Sequence, residues 1–199
     1  HRPLADGRSI AIDLQEGDRA LLLLGADGTV LRRQPFAGVE FLATDATQRA
    51  VFVASETAVT AIDPATLAPT RTVATARDAV ISALAVAPDA TTIAIGFAGG
   101  AVSVVDAASG RDLWSAPAER GVAEVRALAF SPDGARLACA GSGRIEVLDA
   151  RTGSSAWTQA SPERWYRALA FTPDGRGLFA ATYGESIDRH DALSGRRTA

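Results

Sequence analysis

Two arginines stand at the same place in two copies of one segment. Arg126 is the second residue of VRALAFSPDG, and Arg167 is the second residue of YRALAFTPDG. A guanidinium group suits carboxylates and phosphates, because its N–H donors match two oxygens at once. Ser82 takes this position in a third copy, ISALAVAPDA, and Arg120 and Arg164 lie just before the two arginine copies. The pattern predicts a surface that recognises an anionic group.

Aromatic side chains accompany the second arginine copy. Trp165 and Tyr166 belong to the predicted loop ERWY, and Tyr183 falls in the next predicted turn of the same repeat. Aromatic residues and arginine are enriched at the hot spots of protein interfaces. The candidate partner-binding residues are therefore Arg120, Arg126, Arg164, Trp165, Tyr166, Arg167 and Tyr183.

A structural interpretation stands beside this functional one. Trp165 can fill a gap between packed sheets, as large aromatic side chains often do. Arg126 and Arg167 can form solvated ion pairs with the neighbouring acids Glu119, Glu124 and Glu163.

Residues that support catalysis or metal binding are sparse. The two histidines are His1 and His190, and the single cysteine, Cys139, lies in the apolar run RLACAG. The sequence contains no haem-attachment, zinc, phosphate-loop or nucleophile motif. We therefore expect no enzymatic activity, no cofactor and no bound metal.

A repeat of about 43 residues organises the chain. Segments such as ALAFSPDG predict a short strand and a tight turn, since Pro-Asp-Gly favours turns. Four strands fit into each period, and no stretch shows helical periodicity. Trp114 and Trp157 recur 43 residues apart, which predicts a packing role. The marker aspartates, 43, 43 and 42 residues apart, are Asp63, Asp106, Asp149 and Asp191.

Four strands per unit and a period of about 40–45 residues are typical of a β-propeller. The segments Val125–Gly134 and Tyr166–Gly175, and the Asp that precedes a Thr/Ser-Gly turn, resemble the WD-repeat family. This resemblance implies four-stranded blades that contact partners through a loop-rich face. The Trp-Asp and Gly-His pairs of that family are absent from the chain, so its buried hydrogen-bond network is not expected.

A second family is also similar. The segments VVDAASGRDLW and VLDARTGSSAW resemble the quinoprotein-type propeller repeat, in which Asp-x-x-x-Gly precedes a Trp packed between blades. This resemblance implies part of a cofactor-dependent enzyme as the alternative function. The SPDG turns favour the WD-repeat interpretation. A structural or assembly role, with exposed blade faces as the interface, is the third alternative.

The predicted fold is an all-β β-propeller with about five four-stranded antiparallel blades and an incomplete ring. Blade 1 is short, with its outermost strand missing or displaced, and the last blade stops where its fourth strand should begin. An open arc exposes sheet edges and blade faces, so we expect remaining blades or a second chain to close the ring. The predicted blade boundaries are 8–37, 38–74, 75–117, 118–160 and 161–199.

Composition and charge limit the function classes. The formal net charge of −3 gives no support to nucleic-acid binding, and no apolar run approaches the roughly 18 residues of a membrane span. All basic residues are arginine and alanine is abundant, which indicates a bacterial source. We expect a cytoplasmic location, with the periplasm as the alternative because the chain begins at His1 and contains no methionine.

The leading functional expectation is a non-catalytic protein-interaction or scaffolding domain of a larger protein. Its partner, a protein with an acidic segment, is expected to make contact through the loop face and the channel mouth.

Overall fold

The computed structural model describes residues 1–14, 19–76, 79–117, 124–184 and 186–198, and within these ranges the regular structure is β-strand alone. The strands form antiparallel sheets in which chain neighbours lie side by side. No helix long and apolar enough to cross a membrane occurs in the described part of the chain. The predicted all-β class with four-stranded antiparallel blades is confirmed.

Three blades are separate four-stranded sheets, each running in chain order from its inner to its outer strand. Blade 1 contains β1 Arg2–Pro3, β2 Ser9–Asp13, β3 Ala20–Leu24 and β4 Val30–Pro35. Blade 2 contains β5 Phe41–Thr44, β6 Val51–Ala54, β7 Ala58–Ile62 and β8 Pro69–Thr75. Blade 3 contains β9 Ile81–Val86, β10 Thr92–Phe97, β11 Val102–Asp106 and β12 Asp112–Ala116.

The remaining sheet joins blades 4 and 5. It contains β13 Val125–Phe130, β14 Arg136–Asp149, β15 Ser155–Phe171, β16 Gly177–Thr182 and β17 Ile187–Asp191. Strand β14 supplies the second and third strands of blade 4. Strand β15 is the outer strand of blade 4 and then the inner strand of blade 5.

The expected loop ERWY is therefore part of a strand. Ser142 pairs with Trp165 whereas Arg144 pairs with Ala160, so residues 161–164 bulge between the two halves of β15. The bulge interrupts the alternation of apolar residues, which is why the sequence suggested a loop here.

Blade 1 also differs from its expectation. Its outer strand β4 is present and pairs with β3 along its length. Its short strand is the innermost one, where Arg2 pairs with Ile10 and Pro3 with Ser9. This sheet consequently begins before residue 8. A two-residue strand is too short to show a periodic pattern in sequence.

Neighbouring blades pack face to face through apolar side chains. Ala138 and Ile145 of blade 4, for example, are fully buried against Leu178 and Ala180 of blade 5. Similar buried clusters lie between blades 1 and 2, 2 and 3, and 3 and 4. Burial of these faces supplies the main stabilising term of the fold.

Tryptophans on outer strands dock onto the next blade. The Trp114 ring lies against Gly153, and its indole N–H donates to the carbonyl of Ala150 at 2.8 Å. Trp157 repeats the arrangement on blade 5, against Gly195, and donates to the carbonyl of Ala192 at 3.0 Å. We call each contact a tryptophan latch. The predicted packing role of both tryptophans is confirmed.

Aspartates close the turns of the blades. The Oδ1 atom of Asp149 accepts hydrogen bonds from the Thr152 hydroxyl and backbone N–H, each at 2.8 Å. These bonds favour the charged carboxylate and hold its pKa below the ordinary value. Hydroxyl and backbone donors lower the pKa in the same way at Asp63, Asp89, Asp106, Asp133, Asp174 and Asp191.

Candidate functional site

A groove of about 310 Å³ crosses the first residues of four inner strands. We call it the mouth groove. The second residues of the three segment copies line it, namely Ser82, Arg126 and Arg167. Glu40, the second residue of a fainter fourth copy, VEFLATDATQ, lines it as well. Its walls also include Phe41, Val80, Glu124 and Tyr183.

Arg126 ties blade 4 to blade 5. One of its terminal nitrogens donates to the Tyr183 hydroxyl at 3.1 Å, and the other lies 2.5 Å from the Glu124 carboxylate. The guanidinium carbon lies 5.7 Å from the ring centres of both Trp165 and Tyr183, within the range of cation–π attraction. The predicted pairing with Glu124 is confirmed. Because its terminal donors are engaged, Arg126 holds the two aromatic rings in place.

Arg167 is the cation available to a partner. Its guanidinium carbon lies 5.8 Å from the centre of the Tyr183 ring, the same ring that Arg126 contacts. The side chain is exposed, and no carboxylate of the described residues pairs with it. One face of the site therefore offers a guanidinium with unused donors beside an aromatic ring.

Trp165 and Tyr183 present aromatic surface to solvent. Their exposed fractions are 53% and 56%, high values for side chains of this size. The backbone N–H of Tyr183 donates to the carbonyl of Trp165 at 3.0 Å, which fixes their spacing. The interpretation of Trp165 as a filler between blades is therefore wrong.

Two predicted site residues lie elsewhere. Tyr166 is fully buried between blades 4 and 5, since it follows Trp165 in a strand and points the opposite way. Arg164 lies in the bulge and pairs with the carboxylate of Asp188, whose side chain is 2% exposed. Arg197 reaches the other oxygen of that carboxylate at 2.7 Å. Arg120 lies outside the described residues.

Tyr166 offers a direct test of its buried placement. Its hydroxyl has no hydrogen-bond partner among the described residues. Since an unpaired buried hydroxyl is costly, Tyr166→Phe should leave the free energy of unfolding unchanged or raise it by about 1 kcal/mol. Urea unfolding of the two proteins measures this. A loss of more than about 1 kcal/mol would show that the hydroxyl is satisfied.

Glu40, Phe41 and Val80 are site residues that sequence reasoning missed. Glu40 accepts a hydrogen bond from Arg19 at 2.6 Å, which pairs its charge. Val80 is 46% exposed immediately before β9. The faint copy VEFLATDATQ, aligned with the others, places Glu40 in the position of Arg126 and so carried a usable signal.

Two other reactive residues, His190 and Cys139, lie away from solvent. His190 is fully buried and its ring stacks on Trp157 at a centroid distance of 6.2 Å. Cys139 is buried and forms no disulfide. The described residues include no group of three His, Cys, Asp or Glu side chains able to hold a metal ion.

Comparison with solved structures gives the fold. A chain in a crystal structure of the mitotic checkpoint complex superposes with a TM-score of 0.76 at 16% identity. The alignment covers 96% of the present chain and 64% of that one. No curated protein matches the chain in sequence.

A family model gives a sequence relationship. The model described as outer membrane protein assembly factor BamB matches residues 1–129 and again residues 98–198. The match supports the quinoprotein-type resemblance and does not confirm the WD-repeat one. The chain therefore belongs to the family of the outer membrane protein assembly factor BamB.

Proposed function

We propose that this chain is a non-catalytic protein-binding module whose partner docks in the mouth groove. The observation that carries the proposal is the pair of half-exposed rings, Trp165 and Tyr183, held around Arg126. Rings fixed in this way lose little conformational entropy when a partner covers them. The description of the family as an assembly factor supports a role based on protein contacts.

The partner segment is proposed to be acidic with at least one apolar side chain. A carboxylate would accept hydrogen bonds from Arg167, whose exposed guanidinium has unused donors. The apolar side chain would cover Val80 and the neighbouring aromatic surface. A charge at the edge of an interface, such as that of Arg167, mainly governs the association rate and specificity. Aromatic rings that the partner covers supply most of the affinity.

A quinone-dependent enzyme is the alternative from a different class. Both carboxylates that line the groove are paired with arginines, Glu40 with Arg19 and Glu124 with Arg126. Their pairing supports the binding role, in which these residues shape a surface and carry out no proton transfer.

A photo-crosslinking experiment tests the proposed surface. A photoreactive phenylalanine analogue replaces Tyr183 in one variant and Leu113 in a control, in cells of the source organism. Leu113 is 42% exposed on the outer strand β12. We expect one protein to cross-link from position 183 and not from position 113. Equal products from both positions would contradict the proposal.

The cross-linked protein, once purified, allows the charge to be tested. Arg167→Glu should weaken its binding by about tenfold or more, because repulsion replaces a charge-assisted hydrogen bond. Arg32→Glu is the matched control, since Arg32 is exposed on β4 in blade 1. Similar Kd values for the two variants would overturn the role of Arg167.

A further inference from the structure

A buried carboxylate pairs with the residue that precedes Trp165 in the chain. Asp188 lies on β17, and its side chain is only 2% exposed. One carboxylate oxygen pairs with Arg164, and the other lies 2.7 Å from a terminal nitrogen of Arg197. A buried carboxylate is costly unless cations and hydrogen-bond donors compensate it. The two arginines supply that compensation.

This arginine–aspartate pair is a departure from the repeat. In blades 2, 3 and 4, the position three residues before the marker aspartate is held by Thr60, Ser103 and Glu146. In the same blades, the position two residues before the segment copy is held by Ala37, Ala79 and Ala123. The copy that carries Arg164 and Asp188 is also the one in which an aromatic residue, Trp165, comes next. The blade fold therefore does not demand the pair, and its coincidence with Trp165 points to the groove.

Arg164 is the last residue of the bulge in β15. Pairing with β14 stops at Ala160 and resumes at Trp165, so residues 161–164 have no partner in the ladder. A bulge redirects the side chains that follow it, and its own conformation needs a fixed point. The ion pair with Asp188 provides that point immediately before Trp165.

Hydroxyl groups extend the network towards the second aromatic residue. A terminal nitrogen of Arg164 donates to the Ser186 hydroxyl at 3.4 Å, and the hydroxyls of Ser186 and Thr182 lie 2.9 Å apart. Thr182 is buried and directly precedes Tyr183. Trp165 and Tyr183 are thus each adjacent in the chain to a member of one polar network.

We propose that Asp188 is a positioning residue of the mouth groove. By holding Arg164 it fixes the bulge, and thereby the direction in which Trp165 projects into solvent. Arg197 comes from the segment after β17, so it compensates the buried charge without holding the bulge. This inference rests on the proposed function, in which the partner covers Trp165 and Tyr183.

Fluorine NMR of fluorotryptophan-labelled protein tests the orientation without a partner. The chain contains three tryptophans, Trp114, Trp157 and Trp165, and the signal that Trp165→Phe removes belongs to Trp165. Asp188→Asn keeps the size of the side chain and removes the charge that holds Arg164. We expect the Trp165 signal to shift or broaden, whereas the signals of Trp114 and Trp157 stay in place.

Two further variants separate positioning from general destabilisation. Arg164→Gln removes the arginine on the bulge and should change the Trp165 signal as Asp188→Asn does. Arg197→Gln removes the other arginine of the same carboxylate and should leave that signal in place. An unchanged Trp165 signal in Asp188→Asn, or an equal change in Arg197→Gln, would overturn the inference. Should Asp188→Asn fail to fold, the comparison of the two arginine variants decides alone.

Binding measurements distinguish this inference from the proposed function. Asp188→Asn should raise the Kd for the protein recovered by cross-linking from position 183 about tenfold, because a misdirected Trp165 loses its contact. Arg197→Gln should leave this Kd unchanged. A changed Trp165 signal with an unchanged Kd would uphold the action of Asp188 on Trp165 and refute docking on the aromatic rings.

Discussion

Replacing Gly153 by alanine should lower the free energy of unfolding by about 2–5 kcal/mol. Gly153 has a φ of +72°, a conformation that side chains rarely adopt. A Cβ atom there would lie 2.7 Å from the Trp114 ring. The ring is rigid and is anchored by its indole hydrogen bond to Ala150, so a retreat of the ring would strain or break that bond. Backbone strain and overpacking therefore add together.

Gly7→Ala provides the matched control in urea unfolding. Gly7 also has a positive φ, of +82°, but a Cβ there meets nothing within 4 Å. We expect a loss of only about 1–2 kcal/mol from backbone strain at this position. Equal losses for the two variants would mean that the tryptophan latch tolerates a methyl group.

A double-mutant cycle isolates the ring contribution. In a Trp114→Ala background, the extra cost of Gly153→Ala should fall to the value measured for Gly7→Ala, because the clash has been removed. An unchanged cost would place the strain in the backbone alone. The same logic applies to Gly195 under Trp157, where the Cβ–ring distance is 2.6 Å.

Low pH should destabilise this protein by protonating the aspartates in its turns. The turn aspartates have pKa values below their ordinary value in the folded chain, since hydroxyl and backbone donors stabilise the carboxylates. A group with a lowered folded pKa contributes stability that is complete above its unfolded pKa, near 4, and that disappears as pH falls through the folded value. Stability should therefore be constant from about pH 7 to 5 and fall steeply below about pH 4.

Thermal unfolding between pH 7 and pH 3 measures this dependence. Asp149→Asn should lower the Tm at pH 7 and flatten the decline below pH 4, because the amide no longer takes up a proton. Asp112→Asn is the control, since the side-chain carboxylate of Asp112 accepts no hydrogen bond from the described residues and the variant should retain the parent profile. An Asp149→Asn profile that parallels the parent at every pH would contradict a role for this carboxylate in acid unfolding.

The sequence predicts those parts of the fold that are determined by interactions between residues close together in the chain. The strand Val125–Phe130 is found where it was predicted, because Ser-Pro-Asp-Gly ends it through local hydrogen bonds. Only the segment ERWY within β15 differs from its expectation as a loop, since the two halves of the strand are joined by a bulge whose pairing depends on Ser142, far away in the chain. Nonlocal pairing of this kind leaves no periodic signal in a short window.

In the candidate site too, some placements follow from the local sequence and others depend on pairing with distant residues. Trp165 and Tyr166 are adjacent in a strand, so only one of them can face solvent, and register decides which. Alignment with the buried Ile81 and Val125 assigns Tyr166 to the core. No sequence rule could assign Arg164, because its partner Asp188 lies 24 residues away on another strand.

Strand β15 determines how blade 4 is connected to blade 5. Blades 1 and 2 are joined by residues 36–40, which lie outside any strand. Blades 4 and 5 are joined differently, because the connection between them pairs with the sheet at Ser142 and Trp165. Any rotation there would break ladder hydrogen bonds. The aromatic pair thus stands where strand β15 runs from blade 4 into blade 5, and a change in its spacing would also break the hydrogen bond from Tyr183 N–H to the Trp165 carbonyl.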